Sequence, residues 1–222
     1  MMRIGPAVIV LALVTARVDA QDPRLARLDR RVRTEVSALI DSAQSLGIPA
    51  EPVIDKALEG AAKRAPSERI IHVVRTRFGE LVAARAALGS GPIDAELIAA
   101  ADAFHAGASA EVITTLRTRR PGVPLTIPLA VLADLIARGV PADTASSAVL
   151  ALAGTPATDA QFAALRADIE RDIANGAPPA ISTHVRARGL PPGARVPIAG
   201  DVTETTTDRG TGPQSAAPPK RP

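Results

Sequence analysis

The sequence predicts an all-α protein of about nine short-to-medium helices, packed as antiparallel helical hairpins. Apolar residues recur every three or four positions along most of the chain, which is typical of amphipathic helices. Glycine ends a helix readily because it adopts the left-handed conformation, and proline suits the first turn of the next helix. Tight corners of this kind have apolar segments on both sides at Gly47-Ile48-Pro49-Ala50, Gly107-Ala108-Ser109-Ala110, Gly139-Val140-Pro141-Ala142 and Gly176-Ala177-Pro178-Pro179.

The first five helices follow from stripes and stop signals. A stripe from Leu25 to Ile40 predicts helix 1 over residues 22–46, and its first half is rich in arginine. The next stripes predict helices over 51–64 and 66–88. Asp94 and Ser109 are suitable capping residues for helices 4 and 5, because their side-chain oxygens can accept from free backbone N–H groups.

The sequence Pro121-Gly122-Val123-Pro124 then forbids helix, so we expect an extended crossing loop as far as Pro128. Helix 6 is predicted over 129–138 and helix 7 over 142–153. Helix 8 begins near Thr158 or Asp159, and helix 9 spans 179–188.

The two ends of the chain have different compositions from this region. Arg3, the apolar run 4–16 and the small-residue box at 18–20 predict a signal peptide over 1–20, with cleavage before Gln21. We therefore expect a secreted or periplasmic protein with no integral membrane span after cleavage, the alternative being an uncleaved anchor. Residues 21–188 form the predicted helical domain. Residues 189–222 contain seven Pro and five Gly, and we expect a disordered tail there.

Composition limits the chemistry available. The chain contains no cysteine, which rules out disulfides, thiolate metal sites and a cysteine nucleophile. Three Phe are its only aromatic residues, so the core is built from aliphatic side chains. The 26 basic and 23 acidic residues nearly balance. Without a strong positive charge or stacking aromatics, we expect no nucleic-acid binding.

The chain also aligns with itself. Gly47 matches Gly139 at an offset of 92 residues, and Gly107 matches Gly176 at an offset of 69. The difference of 23 residues equals the length of predicted helix 3, because 66–88 is also 23 residues. The alignment therefore predicts a degenerate internal duplication with halves 22–120 and 129–188, in which the second half lacks helix 3. The alternative is chance similarity between Ala-rich helices.

No motif identifies a catalytic, cofactor-binding or metal-binding residue. His72, His105 and His184 do not have metal-ligand spacing. The sequence Gly89-Ser90-Gly91 lacks the context of a nucleophile elbow. Two groups of carboxylates have basic neighbours and are predicted to be solvated, salt-bridged faces. These groups are Glu51, Asp55 and Glu59 on helix 2, and Asp168, Glu170 and Asp172 on helix 8.

The sequence leaves three functional hypotheses open and requires no cofactor. The first is an exported, non-enzymatic interaction or structural module with an unknown protein partner. The second is a hydrolytic or metal-dependent enzyme with dispersed residues, which a cleft joining His72 or His105 to buried acids would favour. The third is a membrane-surface protein that acts through the arginines and apolar stripe of helix 1.

Overall fold

The computed structural model describes residues 22–189, and this part of the chain is helical without any strand. The all-α prediction is therefore confirmed. A short 3-10 helix at Pro23–Arg27 precedes the α-helices. The α-helices are α1 Arg30–Leu46, α2 Glu51–Ala62, α3 Ser67–Leu88, α4 Asp94–Ala106, α5 Ala110–Arg119, α6 Thr126–Ala137, α7 Ala142–Ala153, α8 Asp159–Ala174 and α9 Pro179–Arg188. The predicted signal peptide, its cleavage point at Gln21, and residues 190–222 of the predicted tail lie outside the described residues.

The helices alternate between two layers. In one layer, α1, α3, α5, α7 and α9 follow one another, and each packs on the next. In the other layer, α4 packs on α6, and α6 packs on α8. Hairpin pairs such as α2–α3, α6–α7 and α8–α9 connect the layers. The helical hairpins thus stack on their neighbours, as in helical-repeat proteins.

The second layer is interrupted between α2 and α4. Both helices pack extensively on α3, but they share at most a marginal contact with each other. The surface of α3 between them is therefore not covered by another helix of the second layer. A cleft lined by residues of α2, α3 and α4 lies at this interruption.

All four predicted corners have the same backbone geometry. Gly47, Gly107, Gly139 and Gly176 have φ angles of 62°, 110°, 87° and 92°. At each corner the N–H of the following residue donates to the carbonyl oxygen five residues before it, as Ile48 does to Ala43 over 2.9 Å. This is the Schellman arrangement, in which a left-handed residue satisfies the last helical carbonyls. The predicted helix ends are therefore confirmed at these corners.

The predicted duplication is not settled by the corners. α6 packs directly on α8, whereas their proposed counterparts α1 and α4 are both neighbours of α3. The overlay of helices 1-2-4-5 on helices 6-7-8-9 stays a prediction.

Three local predictions were wrong. The predicted first helix is broken at Leu28 and Asp29, because the Asp29 side chain accepts from the N–H of Arg31 and starts a new helix. The crossing loop ends earlier than expected, since α6 begins at Thr126 and has Pro128 in its first turn, where no intrahelical N–H bond is lost. The cap of α4 is Ile93 rather than Asp94, and the Glu96 carboxylate accepts from the N–H of Ile93.

Apart from Phe162, the buried core is aliphatic, and it is continuous through both layers. Phe162 is fully buried, and the guanidinium of Arg120 lies 5.0 Å from the centre of its ring. Among residues 22–189, no helix is long and apolar enough to cross a membrane.

Candidate functional site

A cleft of about 330 Å³ lies where the second layer is interrupted. Its floor is a stripe of α3 in which residues three or four positions apart share one face of the helix. One wall is α2 and the other is α4. The lining residues are Lys56 from α2, His72, Val73, Thr76, Arg77 and Glu80 from α3, and Asp102 and His105 from α4.

The cleft continues along the α2–α3 hairpin into a second cavity of about 170 Å³. The two cavities share Lys56 and Val73, so together they form one trough along α3. The second cavity is also lined by Glu59, Gly60, Lys63, Ala65, Arg69 and Ile70. We call the two cavities together the α3 trough.

Gly60 permits the close approach of α2 and α3 beside this trough. A Cβ atom at Gly60 would lie 2.8 Å from Cγ1 of Ile70, which is too close for a real contact. The absence of a side chain at Gly60 therefore allows Ile70 to pack against the α2 backbone. The shape of the second cavity depends on this contact.

A polar network ties the floor of the trough to α4. Arg77 Nη2 lies 2.8 Å from Asp102 Oδ1, and Arg77 Nη1 lies 3.3 Å from Glu80 Oε2. The other Glu80 oxygen, Oε1, lies 2.8 Å from Nδ1 of His105. The side chains of Arg77 and Glu80 are only 10% and 14% exposed, whereas those of Asp102 and His105 are 52% and 74% exposed, so water reaches the α4 partner of each contact. The network holds the position of α4 relative to α3.

Arg77 also has an unsatisfied donor. Its Nε is buried and has no hydrogen-bond partner among the described residues. Both terminal nitrogens of the guanidinium are already bound to carboxylates. Arg77 therefore brings no net positive charge to a ligand, because Glu80 and Asp102 together outweigh it.

Positive charge is concentrated at the other end of the trough. Glu59 accepts from Lys63 over 2.6 Å and from Lys56 over 2.9 Å. These bonds, first that of Lys63 and then that of Lys56, lower the pKa of Glu59 to about 2. One carboxylate is thus shared by two ammonium groups, which leaves one positive charge in excess. Arg69 forms no ion pair with any residue from 22 to 189, so it adds a second.

The structure joins some of the residues considered in the sequence and separates others. His72 and His105 lie in the same cleft, whereas His184 lies on α9.

The carboxylates of α8 pair with arginines, as expected of a salt-bridged face. These pairs are Asp168–Arg171, Glu170–Arg138 and Asp172–Arg186. On α2, Glu59 pairs as predicted, whereas Glu51 reaches Arg24 of the 3-10 helix.

The N-terminal arginines are largely engaged within the chain. Arg24 binds Asp22 and Glu51, Arg31 binds Glu68, and Arg33 donates to the carbonyl oxygens of Ala26 and Leu28. Such contacts reduce the charge that this segment can offer to an anionic surface.

Sequence reasoning missed Lys56, Thr76, Arg77, Glu80 and Asp102 as site residues. The available signal was the i, i+3 spacing of Arg77 and Glu80 next to the apolar stripe of α3. That spacing is also typical of solvated helix faces, so it could not identify a cleft.

The chemistry of the α3 trough is suited to binding. Its Ile70 and Val73 provide apolar contact, and its walls carry hydrogen-bonding and charged groups. In residues 22–189, no group of three or more His, Cys, Asp or Glu side chains is arranged to hold a metal ion. Comparison with family models, with characterised proteins and with solved structures finds no match to this sequence.

Proposed function

We propose that this protein is an exported, non-enzymatic interaction module that binds an extended segment of a partner protein in the α3 trough. The observation that carries this proposal is the interruption of the second helical layer between α2 and α4. A stacked helical protein covers each helix with its neighbours, and an uncovered helix face between two walls is a groove of the kind that accepts a peptide.

The residues around the trough support a preformed site. Arg77 joins α3 to α4 through Asp102, and Gly60 permits close packing of α2 on α3. Both walls are therefore fixed by contacts that do not require a ligand. A rigid site loses little conformational entropy on binding, which favours affinity for a flexible segment.

The proposal is tested with a display library of random peptides selected on the full chain. Thr76→Phe places an aromatic ring in the cleft, since Thr76 is an exposed lining residue. Val82→Phe is the matched control, because Val82 is 36% exposed on the same helix and lines neither cavity of the trough. We expect the selected peptides to bind Thr76→Phe at least tenfold more weakly and Val82→Phe with unchanged affinity.

Two results would contradict the proposal. One is the failure of the library to yield any binder. The other is a set of binders whose affinities Thr76→Phe does not alter. Thermal unfolding of both variants checks that each is folded before its binding is compared.

The second candidate function is a hydrolytic enzyme, and the His105–Glu80 contact favours it. A carboxylate that accepts from one imidazole nitrogen fixes the orientation of the ring, and the other nitrogen can then exchange a proton with a substrate. The cleft also contains the Thr76 hydroxyl. However, Thr76 makes no hydrogen bond to His72 or His105 in the described part of the chain, so an activated nucleophile is missing.

A panel of activated esters distinguishes the two candidates. An enzyme that uses His105 would hydrolyse at least one ester faster than the His105→Gln variant does. Equal rates for the two proteins at every ester would exclude this role for His105. Peptide binding by the His105→Gln variant would then be measured to test the interaction function.

A further inference from the structure

The two ends of the α3 trough differ in net charge. This difference indicates which charge a bound peptide segment would carry. At the α4 end, Arg77 is outweighed by Glu80 and Asp102. At the α2 end, Lys56 and Lys63 share one carboxylate, and Arg69 has no ion-pair partner among residues 22–189. The excess positive charge therefore lies around the second cavity.

The same cavity has an apolar floor. Ile70 and Val73 line it, and Val73 is 39% exposed although it is a large aliphatic residue. An exposed aliphatic side chain between basic groups offers two kinds of contact close together. An apolar side chain can cover Val73 while neighbouring carboxylates approach the basic groups.

We infer that the α3 trough recognises an acidic, apolar peptide segment in which a leucine-like side chain is flanked by Asp or Glu. The apolar side chain rests on Val73, and the carboxylates bind Lys63 and Arg69 beside it. This inference rests on the proposed interaction function and adds the chemical class of the partner to it. Charge complementarity selects this occupant over neutral or basic segments.

The chain itself provides a convenient measurement. It contains no Trp and no Tyr, so a single tryptophan in a peptide reports binding without background tryptophan emission from the protein. The probe is a blocked peptide that repeats Glu-Leu-Glu and carries one Trp. Matched analogues replace every Glu by Gln or by Lys.

We expect the Glu peptide to bind about fivefold tighter than the Gln analogue and the Lys analogue to bind most weakly, because exposed charge pairs contribute modestly. This order should weaken as salt is raised, since exposed charges are screened. The double variant Lys63→Glu with Arg69→Glu should reverse the order and favour the Lys analogue. Arg188→Glu on α9 makes the same kind of change far along the chain and should leave the order as it is.

The outcomes separate this inference from the proposed function. If all three peptides bind equally and Thr76→Phe weakens them all, the interaction function stands and the acidic preference is wrong. If none of the three binds, the acidic preference is also wrong, and the display selection alone decides the interaction function. A reversal that Arg188→Glu also produces would assign the effect to net charge rather than to the trough.

Discussion

The two sides of α4 are packed differently, because another helix covers one side and an open cleft borders the other. On one side α4 packs against α6 in the most extensive helix–helix interface of the described chain. On the other side it faces α2 across an open cleft, with Asp102 and His105 on its surface. The buried positions of α4 are mostly small and apolar, namely Leu97, Ala99, Ala100, Ala101 and Ala103. Small side chains allow helix axes to approach closely. Charged side chains lose favourable hydration when they are buried, so they oppose close packing.

The two sides of α4 also differ in the burial and hydrogen bonding of their carboxylates. On the closed side, Glu96 is only 4% exposed, and both of its carboxylate oxygens accept hydrogen bonds. It accepts from Leu125 N and Arg117 Nη2 at 2.7 Å each, and from Ile93 N at 3.2 Å. On the open side, Asp102 is half exposed and has one ion-pair partner. A buried carboxylate with three donors is part of the fold, and an exposed one in a cleft is available to a ligand.

The largest expected effect is that of Glu96→Ala. It removes a charge that three donors around α4, α5 and the segment before α6 share, and leaves Leu125 N buried without a partner. We expect a loss of about 3 kcal/mol in the free energy of unfolding, measured by urea denaturation. Asp102→Ala on the open side should cost less than about 1 kcal/mol. Equal losses for the two variants would remove the distinction between the two sides.

The second effect concerns packing. Ala100 is fully buried on α4, and Ala100→Leu adds volume where none is available. We expect a loss of about 2 kcal/mol from overpacking, measured in the same way. Thr76→Leu adds a similar side chain to the open cleft and should change stability by less than about 0.5 kcal/mol. A tolerated Ala100→Leu variant would show that the closed interface is looser than its burial indicates.

The sequence predicts the helices and corners better than the cleft for a physical reason. The corner at Gly47 depends on a left-handed residue and a few adjacent bonds, which are local properties. The cleft depends on α2 and α4 failing to meet, which no local pattern specifies. The apolar pattern gives no signal of the break at Leu28. Leu25, Leu28 and Val32 are all buried, so the apolar stripe continues across the break. Pro128 was predicted to end a loop, whereas it lies in the first turn of α6, because proline suits both positions.

The third effect is a pH dependence from the closed side. Burial acts to raise the pKa of Glu96, but hydrogen bonds from Leu125 N and Arg117 outweigh it and hold this pKa below its ordinary value. A carboxyl with a lowered folded-state pKa stabilises the protein above its unfolded-state value of about 4.3. That contribution is lost as pH falls through the folded-state pKa. We therefore expect the stability gap between wild type and Glu96→Gln to shrink as pH falls below about 4.3. A gap that is constant with pH would show that the charge of Glu96 contributes nothing.

The smallest effect is confined to the open side and tests the charge balance of the trough. The Glu59 carboxyl has a pKa of about 2, and the hydrogen bond from Lys63 contributes more to this shift than the bond from Lys56. The distances agree, since Lys63 Nζ lies 2.6 Å from Glu59 and Lys56 Nζ lies 2.9 Å away. Lys63→Met should therefore raise the pKa of Glu59 more than Lys56→Met does, as followed by carboxyl NMR during an acid titration. Because both pairs are exposed, neither variant should shift the thermal unfolding midpoint appreciably. The Arg188→Met variant is the control and should leave the titration of Glu59 as it is. If Lys56→Met has the larger effect instead, the hydrogen bond from Lys56, and not that from Lys63, is the main cause of the lowered pKa of Glu59.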